Sequence, residues 1–114
     1  MFDDVTSVAL RSALTGLSTR QRTIADNVAN INTPRFLAGR VEFEDALRSA
    51  VAEGETRRVA PSVNRSLDAP REDGNNVNLD QETLSGIETN LRYQLALRAV
   101  DDRGKLTKIA LGVA

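Results

Sequence analysis

Clusters of acidic side chains are the first residues in this 114-residue chain that could do chemistry. Paired carboxylates can exchange protons with a substrate or bind a divalent cation. The chain has no histidine and no cysteine, so the commonest general base, the commonest metal ligands and all thiol chemistry are absent. No nucleophile or ligand loop lies near the acids, so solvated helix faces explain them better. These acids are Asp3, Asp4, Glu42, Glu44, Asp45, Asp101 and Asp102.

Two pairs of basic residues are the remaining candidates for ligand contacts. Arg57-Arg58 and Arg20/Arg22 could bind phosphate, but 15 Lys and Arg against 16 Asp and Glu leave a net charge of −1. A nucleic-acid-binding domain of this size usually carries a basic excess. A solvated surface or an ion pair between subunits is the better interpretation. The sequence therefore predicts a non-enzymatic chain with no cofactor, no metal, no small-molecule substrate and no nucleic-acid partner.

The segment from Ile24 to Pro34 combines the apolar spacing of a helix with three asparagines in six positions, Asn27, Asn30 and Asn32. Asparagine is a poor helix former because its amide competes for backbone hydrogen bonds. The residue before a proline is also pushed out of the α region. We expect the helix to end here, with the asparagines bonded to backbone at a crowded corner. The alternative is that Asn27 and Asn30 are exposed residues on the polar side of the helix, with Asn32 as a local cap.

Two long amphipathic stretches stand at the two ends of the chain. Steps of three and four predict an N-terminal helix over roughly residues 4–32 and a C-terminal helix over 79–114, with Asn78 as the second N-cap. The N-terminal seam is Leu10, Leu14, Leu17, Ile24, Val28 and Ile31, and the C-terminal stripe includes Leu84, Leu91, Leu95, Leu106 and Ile109. We expect both to form an assembly seam, packed on each other and on other chains, because two single-stripe helices are marginal alone. A helical hairpin without a partner is the alternative.

The stretch between the two helices has a different composition. Phe43, Leu47 and Val51, spaced by four, predict a short helix within residues 41–52, and Gly54 suits its C-terminal cap. Residues 55–76 hold few apolar residues and two prolines, and they predict an extended or disordered connector. The expected fold is all-α. Segments 1–34 and 79–114 are expected to pair like a coiled coil, and the middle segment 35–78 connects them.

Four segments resemble the bacterial flagellar basal-body rod protein family. Residues 24–34, IADNVANINTP, are similar to the signature at the end of the family's first helix. That signature corresponds here to Asn27, Ala29, Asn30, Thr33 and Pro34. Residues 41–47, 73–82 and 91–97 are similar to the family's aspartate/phenylalanine segment, the start of its C-terminal helix and that helix's Tyr-Gln core. The likeness covers essentially the whole chain and favours the proximal-rod branch, although Arg35-Phe36 stand where the family has Gly-Tyr.

The resemblance implies a structural subunit of the axial rod of the flagellar basal body, with the two end helices forming its inner domain. It implies three kinds of partner: other rod and basal-body proteins, copies of the chain itself, and the flagellar type III export apparatus. The resemblance also implies export by that apparatus without signal cleavage, as a chain at least partly unfolded. Consistent with this, the first residues lack the basic region of a cleavable secretory signal.

Phe43 and Leu47 match the phenylalanine-to-aliphatic spacing associated with the export gate, and packing of a short helix explains them equally well. Two alternative functions remain at this point. One is a different rod subunit of the same family. The other, from a different class, is a cytoplasmic helical adaptor or chaperone.

Overall fold

A computed structural model describes residues 4–112, which form three helices and a two-stranded sheet. In chain order the elements are α1 (Val5–Ala29), β1 (Gly39–Glu42), α2 (Glu44–Ala52), β2 (Ser62–Arg65) and α3 (Leu79–Ala110). α1 and α3 pack against each other along an elongated molecule of 63 × 28 × 16 Å. The predicted all-α class with long helices at both ends is confirmed. Residues 1–3 and 113–114 of the predicted end segments lie outside the described residues.

α1 begins and ends close to the boundaries that local signals predict. The Asp4 carboxylate accepts a hydrogen bond from the Ser7 amide at 2.8 Å and caps the first turn. The helix stops at Ala29, and the Asn30 side chain then donates to the Asp26 carbonyl at 2.8 Å. The end falls slightly earlier than predicted, because the next backbone carbonyls bind side chains from a later segment instead of another helical turn.

α2 is shorter than the predicted helix over residues 41–52. It begins only after β1, because the chain up to Glu42 is still paired with β2. Its end confirms Gly54 as the cap, since Gly54 has φ +69° and the Glu55 amide donates to the Ala50 carbonyl at 2.9 Å. This is the Schellman arrangement, in which glycine adopts a positive φ without steric cost.

β1 and β2 form a short antiparallel ribbon that the sequence does not predict. Gly39 pairs with Arg65, and Val41 pairs with Val63. Each strand has four residues, too few for an alternating pattern to stand out. β2 is extended and hydrogen-bonded to β1, so of the two predicted alternatives for residues 55–76 the extended one, and not disorder, describes residues 62–65.

The hydrophobic core lies where α1, β1, α2 and α3 meet. Leu17, Val41 and Phe43 form its buried centre, and the half-buried Tyr93 packs against them. The Phe43 ring lies directly on Gly16 of α1, where an added Cβ would overlap the ring. Glycine at this helical position is therefore required for the close approach of Phe43 to the α1 backbone.

α3 turns a polar, small-residue face toward α1. Glu82 and Thr89 are buried on this face, and Ala96 packs on the core. Further along, Arg103 forms a 2.6 Å ion pair with Asp4 at the start of α1. These residues recur at helical spacing, so they share one side of α3. Polar and small side chains of α3 thus take part in its contact with α1.

The apolar stripe of α3 lies on the other side of the helix and is exposed. Its members are 56–70 % exposed, and they are Leu84, Leu91, Leu95, Leu106 and Ile109. The prediction that this stripe packs on α1 within the chain is therefore wrong. Small side chains let the two helices approach closely, and buried polar groups find partners on that side. In the predicted N-terminal seam, Leu17 is buried and Val28 is exposed. The other seam residues are half-buried: Leu10, Leu14, Ile24 and, just after the end of α1, Ile31.

Candidate functional site

The end of α1 carries a cluster that we call the asparagine corner, formed by Asn27, Asn30, Asn75 and Asn76. Asn27 is buried, and its Oδ1 accepts from the Gly39 amide at 2.8 Å. Its Nδ2 donates to the Gly39 carbonyl and to Glu82 Oε2, both at 3.1 Å. One side chain thus ties α1 to β1 and to α3, with its polar atoms paired as burial requires.

Glu82 is the buried carboxylate beside the asparagine corner, with 1 % of its surface exposed. Arg40 donates to Glu82 Oε1 at 2.7 Å, and Asn27 donates to the other oxygen at 3.1 Å. Arg40 also donates to Gln81 Oε1 at 3.1 Å. A buried charge is tolerated only when it is paired and hydrogen-bonded. Arg40 and Asn27 together therefore allow the first turn of α3 to be buried against α1.

Asn75 and Asn76 bind backbone groups that no helix or strand satisfies. Asn75 is fully buried and donates to the carbonyls of Asn30 and Thr33 at 2.8 and 2.9 Å. Asn76 is also buried, and its Oδ1 accepts from the Ala38 amide at 2.7 Å. The carbonyls that follow the last turn of a helix need partners outside it. Asn75 supplies such partners and holds the returning chain against the end of α1, and Asn76 binds the same chain to Ala38.

Arg71 adds a positive charge at the same helix end. Its guanidinium donates to the carbonyls of Ile31 and Val77, each at 2.6 Å. Cations are stabilising near helix C-termini because the unpaired carbonyls there carry partial negative charge. Arg71 therefore links the C-terminal end of α1 to the segment that leads into α3.

Arg35 adopts the left-handed backbone region, with φ +61°. Its amide donates to the Asp73 carbonyl at 2.8 Å. Gly74 lies against it with φ +83°, and a Cβ added there would sit 3.0 Å from Arg35 Cγ. The turn therefore has a shape that suits glycine at position 35, and the arginine bears the steric cost of it.

We expect Arg35→Gly to raise the free energy of unfolding by about 1 kcal/mol, since the left-handed region costs a non-glycine residue about 1–2 kcal/mol and glycine loses somewhat more chain entropy. Urea denaturation followed by circular dichroism measures the change. Arg35→Ala removes the side chain but keeps the backbone cost, so it is the matched control and should show no gain. A destabilised glycine variant would show that the side-chain contacts of Arg35 outweigh the backbone effect.

The structure brings together only part of the predicted signature. Asn27 and Asn30 lie in the asparagine corner, and the Thr33 hydroxyl donates to Asn30 Oδ1 at 3.0 Å. Asn32 is exposed and makes no side-chain hydrogen bond within residues 4–112, so the expected backbone contact is wrong for Asn32. The remaining two members of the signature, Ala29 and Pro34, are exposed.

Sequence reasoning missed the other half of the corner as a site. Asn75, Asn76 and Glu82 all lie in residues 73–82, which the sequence identifies as a motif without assigning roles. One signal was available: two adjacent asparagines stand before a helix that Asn78 already caps at 3.1 Å. Asparagines that are not needed as caps often bond to nearby backbone.

Arg20 forms an ion pair inside the chain. Its guanidinium donates to both Glu44 carboxylate oxygens at 2.6 and 2.7 Å and to the Val41 carbonyl at 2.6 Å. It also lies 5.0 Å from the centre of the Phe43 ring. The hydrogen bonds from Arg20 hold the pKa of Glu44 below its ordinary value of 4.5. This clamp joins α1 to the start of α2 over the core.

The Arg20–Glu44 pair makes part of the stability depend on pH. Because the folded-state pKa of Glu44 is lowered, its contribution is present above pH 4.5 and is lost as the pH falls through the lowered pKa. We expect Glu44→Gln to be less stable than the natural chain at pH 7 and to differ less from it at about pH 3. Urea midpoints of both proteins at the two pH values test this. An equal difference at both would contradict the expectation.

Phe43 and Leu47, the candidate export-gate residues, belong to the folded core. Phe43 is 5 % exposed, and Leu47 is half-buried against the same cluster. The folded chain therefore uses both side chains for packing. Their contact with the export gate stays a prediction about the unfolded chain.

The acidic clusters within residues 4–112 do not form a metal site. No group of three acidic, histidine or cysteine side chains there could hold a metal ion. Several acids pair with basic neighbours instead, as Asp45 does with Arg48 at 2.9 Å and Asp101 with Lys105 at 3.2 Å. None of the three described helices is long and apolar enough to cross a membrane.

Comparison with known proteins gives two findings. The family model described as "Flagella basal body rod protein" matches residues 9–36. The chain is also 30 % identical to the flagellar basal body rod protein FlgB of Salmonella typhimurium, over an alignment of 116 positions. This alignment covers 83 % of this chain and 84 % of the relative. The FlgB proteins of Escherichia coli and Bacillus subtilis are each 28 % identical over 90 % of this chain, with 91 % and 89 % of the relatives covered.

Proposed function

This chain belongs to the FlgB family of flagellar basal body rod proteins, and we propose that it works as a structural subunit of the proximal rod, joined to its neighbours by helix-to-helix packing. The likeness extends over most of the chain and of each relative compared above. The alternative of a different rod subunit gains nothing from those relatives, since each is named FlgB.

The observation that carries the assembly proposal is the outer α3 face, which we define as Leu84, Leu91, Leu95, Leu106 and Ile109. A single exposed leucine is ordinary, but five large apolar side chains exposed along one side of a helix mark a contact surface. This one extends about 38 Å at 1.5 Å per residue, on the side of α3 that α1 leaves open. Full burial of each leucine against a neighbouring subunit would contribute about 1.5–3 kcal/mol.

The α1 seam supplies the second part of the proposed contact. Val28 is exposed near the C-terminal end of α1, and several seam residues are only half-buried by the chain's own fold. These residues are Leu10, Leu14, Ile24 and Ile31. A subunit with apolar surface left on both long helices can contact more than one neighbour, as an axial assembly requires.

We infer that the partners are other rod and basal-body proteins together with further copies of this chain. We also propose that the chain reaches the basal body through the flagellar type III apparatus, at least partly unfolded and without signal cleavage. Phe43 and Leu47 would contact the export gate in that unfolded state, before folding buries them. No enzymatic activity is proposed, because the family is one of structural rod proteins.

Fractionation of flagellar basal bodies tests the proposal. The chain carries an epitope tag, replaces the chromosomal copy, and is probed in purified hook–basal bodies and in the cytoplasmic fraction. We expect the tag to co-purify with the hook–basal bodies. A cytoplasmic adaptor or chaperone would remain in the cytoplasmic fraction, and that result would overturn the rod assignment.

A further inference from the structure

The outer α3 face is interrupted at its middle by two charges of opposite sign. Arg98 and Asp102 continue the steps of three and four between Leu95 and Leu106, so they lie on the same side of the helix as the leucines. Both are exposed, and neither has an ion-pair partner among residues 4–112. Glu88, between Leu84 and Leu91, lies on the same side but is paired with Arg92 at 2.6 Å. Among the described residues the face therefore has an unpaired cation and an unpaired anion near its centre, with leucines and an isoleucine on either side.

This arrangement is self-complementary when two copies lie antiparallel. If Arg98 of one copy faces Asp102 of the other, the two-fold axis repeats the same pair on its other side. The same register places Leu91 opposite Ile109 and Leu95 beside Leu106, again twice. Every apolar member of the central stretch then meets an apolar partner, and both charges are neutralised.

A parallel, in-register pair of the same helices lacks this match. Arg98 would face Arg98 and Asp102 would face Asp102 inside an apolar seam, and like charges placed directly opposite are destabilising. Charge complementarity therefore selects the antiparallel orientation. α1 does not obstruct it, since α1 covers the other side of α3.

We propose that the free subunit forms an antiparallel two-fold dimer through the outer α3 face, with Arg98 and Asp102 of the two copies paired reciprocally. A two-fold interface uses the same patch on both copies and closes at two subunits, whereas an extended helical assembly needs head-to-tail contacts. The dimer would cover the apolar face before assembly and must dissociate before the subunit joins a rod. This state belongs to the purified chain, so its test is independent of the basal-body fractionation.

Charge exchange gives the first test. We expect sedimentation equilibrium of the full chain to show a dimer, and Arg98→Glu to weaken its association by about tenfold, since two attractive pairs become repulsive. The double variant Arg98→Glu/Asp102→Arg restores both pairs in the antiparallel register and should recover the association. In a parallel, in-register dimer Arg98→Glu would only exchange one pair of like charges for another, so no attractive pair would be lost. A monomeric natural chain, or a double variant as weak as the single one, overturns the proposal.

Cysteine cross-linking tests the register directly, because the chain has no cysteine of its own. An equal mixture of Leu91→Cys and Ile109→Cys should form a mixed disulfide dimer under mild oxidation, identified by its mass. Leu97→Cys, which lies off the outer α3 face, should give only background cross-linking with Ile109→Cys. Predominant homodimers of Leu91→Cys would indicate a parallel pair and contradict the proposal. Circular dichroism of each variant confirms that the fold is retained.

Discussion

Replacing Phe43 by alanine will lower the free energy of unfolding by about 3–5 kcal/mol, the usual cost of deleting a buried phenylalanine ring. Its ring packs on Leu17 and Val41 and lies against the bare backbone of Gly16. The loss therefore opens a cavity at the junction of α1, β1 and α2, which the surrounding backbone cannot fill by small shifts. Small domains have about 5–15 kcal/mol of total stability, so much of this chain would unfold under mild conditions.

Phe36→Ala is the matched control for Phe43→Ala. Phe36 is only half-buried, and its ring contact is with Arg65, whose guanidinium carbon lies 5.5 Å from the ring centre. We expect a clearly smaller loss of about 1–2 kcal/mol from this partial burial. Urea denaturation of both variants, followed by circular dichroism at 222 nm, gives the comparison. Equal losses would mean that Phe43 is not the centre of the core.

Replacing Asn27 by aspartate will destabilise the fold by about 3 kcal/mol or more at pH 7, because it removes a buried donor and sets a second carboxylate against the buried Glu82. Asn27 Nδ2 now donates to Glu82 Oε2 at 3.1 Å and to the Gly39 carbonyl at 3.1 Å. Two carboxylates at that distance cannot both stay ionised without strong repulsion. Protonation of the introduced aspartate relieves the repulsion, so the destabilisation should shrink toward about pH 5.

Asn32→Asp makes the same chemical change a few residues away. Asn32 is exposed and has no side-chain hydrogen bond within the described residues. We expect its variant to stay within about 0.5 kcal/mol of the natural chain. Denaturation midpoints of both variants at pH 7 and pH 5 distinguish the two positions. A mild effect of Asn27→Asp, or an effect that ignores pH, would contradict the assigned role of Asn27.

Features that depend on local sequence were predictable. Asn78 caps α3 through its contact with the Gln81 amide at 3.1 Å, and Gly54 ends α2 with φ +69°. Caps and glycine-ended helices arise from interactions only a few residues apart, so a short stretch of sequence carries the whole signal. The two long helices were predictable for the same reason, since their apolar periodicity extends over many turns.

Features that depend on distant partners were not predictable. The most apolar stripe of α3 was expected to meet α1, yet α3 presents Glu82 and Thr89 to it, and Glu82 accepts a hydrogen bond from Asn27 across the contact. Asn75 donates a hydrogen bond to the carbonyl of Asn30, 45 positions earlier, and no local sequence pattern predicts such a bond. In an assembly, one face of a helix can pack within its own chain while another face contacts a neighbouring subunit. Hydrophobicity alone does not say which one belongs to the chain's own fold.

The central claim is that the outer α3 face joins this subunit to its neighbours in the rod. The most direct test is the amount of a Leu91→Glu variant recovered in purified hook–basal bodies, relative to its total cellular level. Leu67→Glu, at a side chain that is 97 % exposed on a loop, is the matched control. We predict that Leu91→Glu keeps the circular dichroism spectrum of the natural chain while its incorporation falls about tenfold or more, because the charge would be buried without a partner. Normal incorporation of Leu91→Glu would contradict the account.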